Sequence, residues 1–505
     1  MKKIYLILCI LAFNIAVANA QTLKETVEFS RSINTNSARS SAMGGAFTAL
    51  GGDISSISLN PAAVGVFHGS EFTLTLSPNF MNVKSSGLLG NDKESSSTYK
   101  RLQLGNIGAV LHFGNDMYGW KGINVGFNYT TQNNYNIKTD RFINNSSNSL
   151  TDVFAAQSNG YNINNLNSFG AGLAYDAKLI YAGNNNNYFS ILEYENSEGS
   201  TIFDNVSQHE MVKNNGHQGE FTFSLGSNYM DKLYIGGSIG FEDLEYKNHY
   251  AYTEAAEEGA SSGVDYYDYL KYEKYSGVGI NFKFGVIYRP VYFLRLGASI
   301  HTPTWYNIDY TVSSGINSFF SNNSDASSNR NEDQYFVRSG DYDTSFDFRT
   351  PWKFQFGIAT VIDKYAIISI DYERVDYSSS KFYNADDNYD YSYLNNDIKN
   401  NLRSTNNLRL GFEIRFDFMS LRAGYSMQDS PYSNNTSDFN DITSASLGMG
   451  LNLGQFFIDA AYVNKKMKNN TIFYSYGDSN NNIESAETHN KYSRDEVKIT
   501  FGLRF

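Results

Sequence analysis

The sequence predicts an all-β protein: a 14-stranded antiparallel transmembrane β-barrel plugged by an N-terminal hatch. Three observations carry this. Apolar and polar residues alternate with a period of two in segment after segment from Glu71 to the last residue. Aromatic residues make up 15% of the chain, with 39 Tyr and 36 Phe, while the mean hydropathy is negative. No run of about 18 apolar residues follows the first twenty, which excludes helical spans. A barrel strand shows lipid only every second side chain, so many aromatics and few long apolar runs are expected together.

Residues 1–20, MKKIYLILCILAFNIAVANA, carry Lys2 and Lys3, an apolar run from Ile4 to Val17, and the small residues Ala18 and Ala20. They read as a secretory signal peptide with the mature chain starting at Gln21. The only cysteine, Cys9, lies inside it, and Leu8 stands where a lipoprotein signal needs a small residue. The mature chain is therefore expected to have neither thiol chemistry nor disulfides. Residues 21–69 show no strong alternation but are rich in small residues, from Ala42, Gly44 and Gly45 to Gly51 and Gly52. A barrel of this size encloses more space than its own side chains fill, so this segment is expected inside as the hatch, with the barrel over 70–505.

The clearest strand is LRLGFEIRFDF, where Leu408, Leu410, Phe412, Ile414, Phe416 and Phe418 alternate with Arg409, Gly411, Glu413, Arg415 and Asp417. Strand centres are expected near 75, 107, 128, 223, 242, 280, 303, 352, 371, 410, 424, 448, 461 and 498. Tight turns near 115–120, 230–232, 289–291, 362–364, 417–419 and 453–455 alternate with loops at 85–99, 138–216, 254–266, 317–342, 380–402, 430–441 and 476–489. Short turns face the periplasm and long loops the medium in such barrels, which places both chain ends in the periplasm and the protein in the bacterial cell outer membrane. The loop 138–216 has apolar clusters of its own and is expected to be a partly folded cap. On the lipid face Leu410→Arg should cost far more than Arg409→Leu on the lumen face. The last strand ends in Phe505, after Val497, Ile499, Phe501 and Leu503 at spacings of two. Such an end resembles the signal read by the barrel-assembly machinery, an expected partner beside outer-membrane lipid. A net charge of −12 argues against nucleic acid. The protein is expected to be a monomer, to need no cofactor and to be no enzyme: the seven histidines show no metal-ligand spacing.

ALGGDISSISLNPAAVGVF, with Asp53, Ser55 and the triplet Asn60, Pro61, Ala62, resembles the hatch of the FadL family, outer-membrane transporters of long-chain fatty acids and other hydrophobic compounds. Residues 285–306, 349–378 and 407–432 resemble the family's second half strand by strand. The resemblance implies capture of a hydrophobic small molecule at the extracellular loops, passage to an interior pocket, and sideways release into the membrane at a kinked third strand, with Asn60, Pro61 and Ala62 near the opening. In the third strand, GINVGFNYTTQNNYNIK, Gly122 and Gly126 are the kink candidates. Met43, Phe47 and Leu50 of the hatch either line the inner pocket or anchor the plug. Ile316, Phe319 and Phe320 either form a capture groove or pack against neighbouring loops. Lys283, Asp371, Glu373, Arg409, Glu413, Arg415 and Arg422 either bind a carboxylate headgroup or pair across strands. Pro78, Pro303 and Pro351 either loosen the wall or mark bulges. The competing function is a binding or secretion-shuttle scaffold, kept open by the loop 138–216. A general porin is disfavoured by the hatch.

Overall fold

The computed structural model describes residues 22–33, 36–87, 94–195, 201–257, 262–321, 333–384, 386, 389–433, 441–477 and 482–505; the expected signal peptide lies outside them. Within them the hatch opens with α1 (Leu23–Ser30), started by a reciprocal cap between Thr22 and Glu25. A short α2 follows (Ala38–Ala42), then two turns of 3-10 helix at Ile54–Ser58 and Pro61–Val66.

Fourteen antiparallel strands form the wall: β1 Glu71–Gly87, β2 Ser95–Met117, β3 Trp120–Asn134 continued by Ile137–Ser146, β4 Val206–Tyr229, β5 Leu233–Ala256, β6 Val264–Val291, β7 Leu294–His301 and Trp305–Phe320, β8 Tyr342–Arg349 and Lys353–Ile362, β9 Ala366–Asp376, β10 Ser404–Phe416, β11 Met419–Gln428, β12 Ile442–Leu453, β13 Phe456–Thr471 and β14 Thr488–Arg504. β14 pairs with β1, which closes the cylinder, and Phe505 exchanges two backbone hydrogen bonds with Ser70 at the seam of closure.

Alternation decides which way each side chain points. On β10, Leu408, Leu410 and Phe412 are exposed while Thr405, Asn407, Arg409 and Glu413 are buried. All three tryptophans, Trp120, Trp305 and Trp352, stand on the outer surface with their rings exposed, where aromatic belts meet the two membrane interfaces. Leu410→Arg is expected to cost about 2–4 kcal/mol of folding free energy near the midplane, measured by urea titration in lipid vesicles.

β4, β5 and β6 run for 24, 24 and 28 residues, more than twice the roughly 10 needed to cross a bilayer, so their outer halves stand clear of the membrane. The cap folds against these halves. α3 (Leu150–Ser158) buries Leu150, Val153 and Phe154 in a cluster with Tyr252, Tyr267 and Tyr474. The expected loop 138–216 is thus shorter than its sequence boundaries: β3 reaches Ser146 and β4 begins at Val206. The expected loop 317–342 is also partly strand, since β7 runs to Phe320 and Asp333–Arg338 pairs back against it.

Two expected strand centres, 303 and 352, fall on interruptions. Proline has no N–H for a ladder, and both strands break at the same level, at Pro303 and Pro351. The gap is bridged by Thr304 N to Thr350 Oγ1 (2.8 Å) and Thr350 N to Thr304 O (3.1 Å). Pro78 sits in an unbroken β1, opposite Leu102.

The hatch lies directly on the main chain of the wall. A Cβ added to Gly285 of β6 would stand 1.8 Å from Asn60 Oδ1, one on Gly236 of β5 2.4 Å from Pro61 O, and one on Gly424 of β11 2.1 Å from Gly44 N. Gly126, Gly226, Gly297, Gly357, Gly411 and Gly448 meet the hatch in the same way, so glycines encircle it. Phe29 of α1, fully buried, is enclosed by the rings of Tyr135, Tyr246, Tyr275 and Phe348 at 5.3 to 6.5 Å.

Candidate functional site

The ladder between β2 and β3 ends at the pair Asn106 and Thr130. Beyond it β3 pairs with β4 alone. The cause is local: after Ile123, Val125, Phe127 and Tyr129 the alternation gives way to TTQNNYN, whose amides compete with the ladder for backbone groups. Asn134 N donates to Asn133 Oδ1 (3.1 Å) and Asn136 N to Asn134 Oδ1 (3.0 Å). Residues 131–136 are all buried, Gln132 forms a bulge, and the strand is interrupted at Tyr135 and Asn136. Across the break lies Gly216, at φ +130°, where a Cβ would stand 1.9 Å from Glu245 O.

The outer halves of β2 and β3 are therefore joined by side chains. Thr131 Oγ1 donates to Leu104 O (2.6 Å), Asn134 Nδ2 to Gln103 Oε1 (2.6 Å), Arg101 Nη1 to Asn136 Oδ1 (2.7 Å) and Ser97 Oγ to Lys138 O (2.5 Å). Ser95 Oγ donates to Asp140 O. Unlike a backbone ladder, each of these bonds is made by a side chain that can rotate away.

Inside the seam is a chamber of about 110 Å³, walled by Val27, Ile33, Met81, Tyr135, Ile137, Tyr246, Ile442, Met467 and Tyr492. Polar lining comes from Glu28, Asn133, Asn134, Asn214 and the cations Arg31, Lys465 and Arg494. Lys465 pairs with Glu496 at 2.8 Å. Arg31 and Arg494 have no carboxylate within 4 Å among the described residues; Arg494 donates to Asn134 O at 3.0 Å and Arg31 to Asp429 O at 3.5 Å. Burial pushes the Glu28 carboxyl above the usual carboxylate range, against the pull of Lys24 and Arg31. The chamber shares Glu28, Ile137, Asn214, Met467 and Tyr492 with a vestibule of about 1240 Å³ that lies among the start of α1, the outer parts of β3, β4, β5 and β13, and residues 389–397. A third cavity, about 700 Å³ on the periplasmic side, is lined by Arg39, Asp53, Glu413, Arg415 and Arg422, a poor surface for an apolar ligand.

The hatch segment that meets the break is 28–33. Asn133 Nδ2 donates to Glu28 O (3.2 Å) and Arg31 O (3.1 Å), and Ile33 N to Gln132 O (3.1 Å). Asn60, Pro61 and Ala62 brace the wall elsewhere: Asn60 Nδ2 donates to Thr48 O (2.7 Å) and to Val286 O of β6 (3.2 Å), and its Oδ1 caps Ala62 N (3.0 Å). Asp53 has a matching role, accepting from Ser37 Oγ, Ser55 N and Ser55 Oγ at 2.6 to 2.9 Å.

The other candidates divide as follows. Gly122, at a bulge by the periplasmic turn, and Gly126, within regular pairing against the hatch, both lie below the break at 131–136. Met43, Phe47 and Leu50 are enclosed with Leu59, Ala359 and Ile367 and line neither chamber nor vestibule; the flanking glycines bring the hatch too close to the wall to leave space there. Ile316 is fully buried against the cap, Phe319 stacks on Tyr266 (4.3 Å) and Phe320 meets Tyr335 edge-on (5.8 Å).

The lumen charges pair. Lys283 binds Glu220 (2.6 Å), Arg409 binds Glu373 (3.0 Å), and Asp371 accepts from Thr48 N (2.7 Å). Glu413 takes Arg39 of the hatch at 3.0 Å with Arg415 and Arg422 at 2.6 Å each, and Arg422 also reaches Asp459 at 2.5 Å. The premise behind a mild Arg409→Leu, a solvated lumen side chain, does not match this burial, and the substitution is expected to be costly. Arg409 is 5% exposed beneath the hatch rather than in a wet lumen, and its loss removes the ion-pair partner of Glu373, leaving it the amides of Gln355 and Asn407.

No protein-family model and no curated protein sequence matches the chain. Solved structures do. A FadL homologue from Pseudomonas aeruginosa is 12% identical, covers 94% of this chain and 99% of its own, and superposes with a TM-score of 0.55. The toluene transporter TodX from P. putida is 13% identical, with 93% and 98% covered and a TM-score of 0.50. The protein thus has the fold of the FadL-type outer-membrane channels, a closed 14-stranded barrel.

Proposed function

We propose that the protein is an outer-membrane channel for passive uptake of hydrophobic small molecules such as long-chain fatty acids. The observation that carries this reading is continuity: a wide outer vestibule shares its lining with a largely apolar chamber, and the chamber abuts the stretch of wall that has no backbone ladder. Burying an acyl chain gains roughly 0.8 kcal/mol per methylene, enough to concentrate ligand without an energy source. Release through the seam delivers it to hydrocarbon without a return to water. The chamber alone is the size of a ring or a short acyl segment, so a longer chain extends into the vestibule.

Arg31 and Arg494 favour a carboxylate headgroup over a neutral hydrocarbon. A Glu28 that stays protonated leaves their charge uncancelled; when it ionises, it opposes an anionic ligand. Affinity for an alkyl sulfonate, whose own charge does not titrate, is therefore expected to fall as the pH rises above the usual carboxylate range. In Glu28→Gln the fall is expected to vanish, as calorimetry at a series of pH values will show.

The experiment that tests the route is a cross-link. The mature sequence has no cysteine, so Gln103→Cys with Asn134→Cys gives one thiol pair across the seam. Oxidation is expected to abolish uptake of a labelled fatty acid and reduction to restore it, with ligand still bound in the chamber throughout. Uptake that continues through the locked seam refutes lateral release.

A further inference from the structure

The chain is acidic, yet its outer surface carries a compact basic face on β13, β14, β1 and β2. The residues are Lys466, Lys468, Lys491, Lys84 and Lys100, all exposed. Register places them closely. Lys468 is directly opposite Lys491, and Lys491 directly opposite Lys84, a row of three lysines on three adjacent strands. One step nearer the membrane, Lys466 faces Ser493, Ser493 faces Asn82 and Asn82 faces Thr98; Lys100 follows one step below, opposite Phe80. The next row is Tyr462, Val497, Pro78 and Leu102, the upper edge of the lipid-facing band. The basic face therefore starts where hydrocarbon ends.

Like charges directly opposite on neighbouring strands destabilise a sheet. Here two such pairs share a lysine, and little inside the protein offsets them. Glu94 binds Lys84 at 2.6 Å, and the hydrogen bond and charge of Lys84, with a smaller pull from Lys491, hold its carboxyl below the usual range. Asp495 is occupied by Tyr462 Oη (2.5 Å) and Asn464 Nδ2 (2.7 Å). Lys100, Lys466, Lys468 and Lys491 have no carboxylate within 4 Å among the described residues. Ammonium groups interleaved with Ser and Asn donors, at headgroup depth, match the oxygens of phosphate.

We propose that this face binds the phosphate groups of an outer-leaflet lipid, holding a phosphorylated glycolipid against the barrel. The location gives the contact a consequence. β2 from Ser95 to Gly105 is both one border of the basic face and the edge that lacks a ladder to β3. A lipid fixed there is the neighbour of anything leaving through the seam.

The test is native mass spectrometry of the full chain in neutral detergent, titrated with diphosphorylated lipid A, with its dephosphorylated form and with inorganic phosphate as competitor. Lipid A is expected to be retained one per chain and to be lost as salt is raised, with the dephosphorylated lipid not retained. In a variant with Lys84, Lys466, Lys468 and Lys491 all changed to Gln, retention is expected to weaken by at least about tenfold. If that variant does not fold, Lys84→Gln with Lys491→Gln, and Lys466→Gln with Lys468→Gln, divide the face in two and each is expected to weaken retention. Equal retention by folded variants overturns the proposal. So does equal retention of the dephosphorylated lipid. Displacement of the lipid by inorganic phosphate at equal concentration shows that the face takes free anion rather than lipid, and also overturns it.

Discussion

Glu413→Ala is expected to cost about 3–5 kcal/mol, the range for removing one partner of a buried ion pair. Glu413 is fully buried and is the common partner of Arg39, Arg415 and Arg422. Without it three guanidinium groups converge with only Asp459, which is bound to Arg422, and Asp53 near Arg39 to offset them. Arg39 belongs to the hatch and the other two to the wall, so the loss falls on the contact between them. Urea titration followed by tryptophan fluorescence will show the midpoint moving down. Glu94→Gln, which removes only the exposed pair with Lys84, is expected to leave the midpoint almost unchanged. Similar small shifts for both variants contradict a sealed lumen.

Gly285→Val should displace the hatch. The first added atom alone stands 1.8 Å from Asn60 Oδ1, and Pro61 Cδ lies at 3.1 Å. β6 cannot yield, because it is laddered to β5 on one side and β7 on the other. The hatch must therefore move, losing the bond from Asn60 to Val286 O and adding overpacking strain of about 1–3 kcal/mol. In planar bilayers the variant is expected to conduct ions where the parent is closed, while keeping the heat-modifiable migration of a folded barrel. A variant as tight as the parent shows that the hatch does not rest on this glycine.

The wall was legible because its rule is local. A strand with lipid on one side must alternate, so β10 announces both its faces in eleven letters, and the six tight turns lie where alternation stops. What depends on partners distant in sequence was not legible. Arg409 looks like any lumen cation until Glu373 and the overlying hatch are in place. Met43, Phe47 and Leu50 look like pocket lining until Gly411 and Gly424 bring the wall against them. The break in β3 has a local signal that is not its glycines: Gly122 and Gly126 stay within or beside regular pairing, and the run TTQNNYN, where alternation fails and amides gather, is where pairing with β2 ends. Pro303 and Pro351 were visible as letters, while their meeting across two strands came only from register.

The encircling glycines also bear on how such a molecule can change over time. Two main chains in contact have no soft material between them, so a single enlarged residue on either side has nothing to compress. Substitutions in plug and cylinder must then arrive as answering pairs, one growing where its counterpart shrinks, and descendants of this chain should drift in their loops long before they drift in that inner ring.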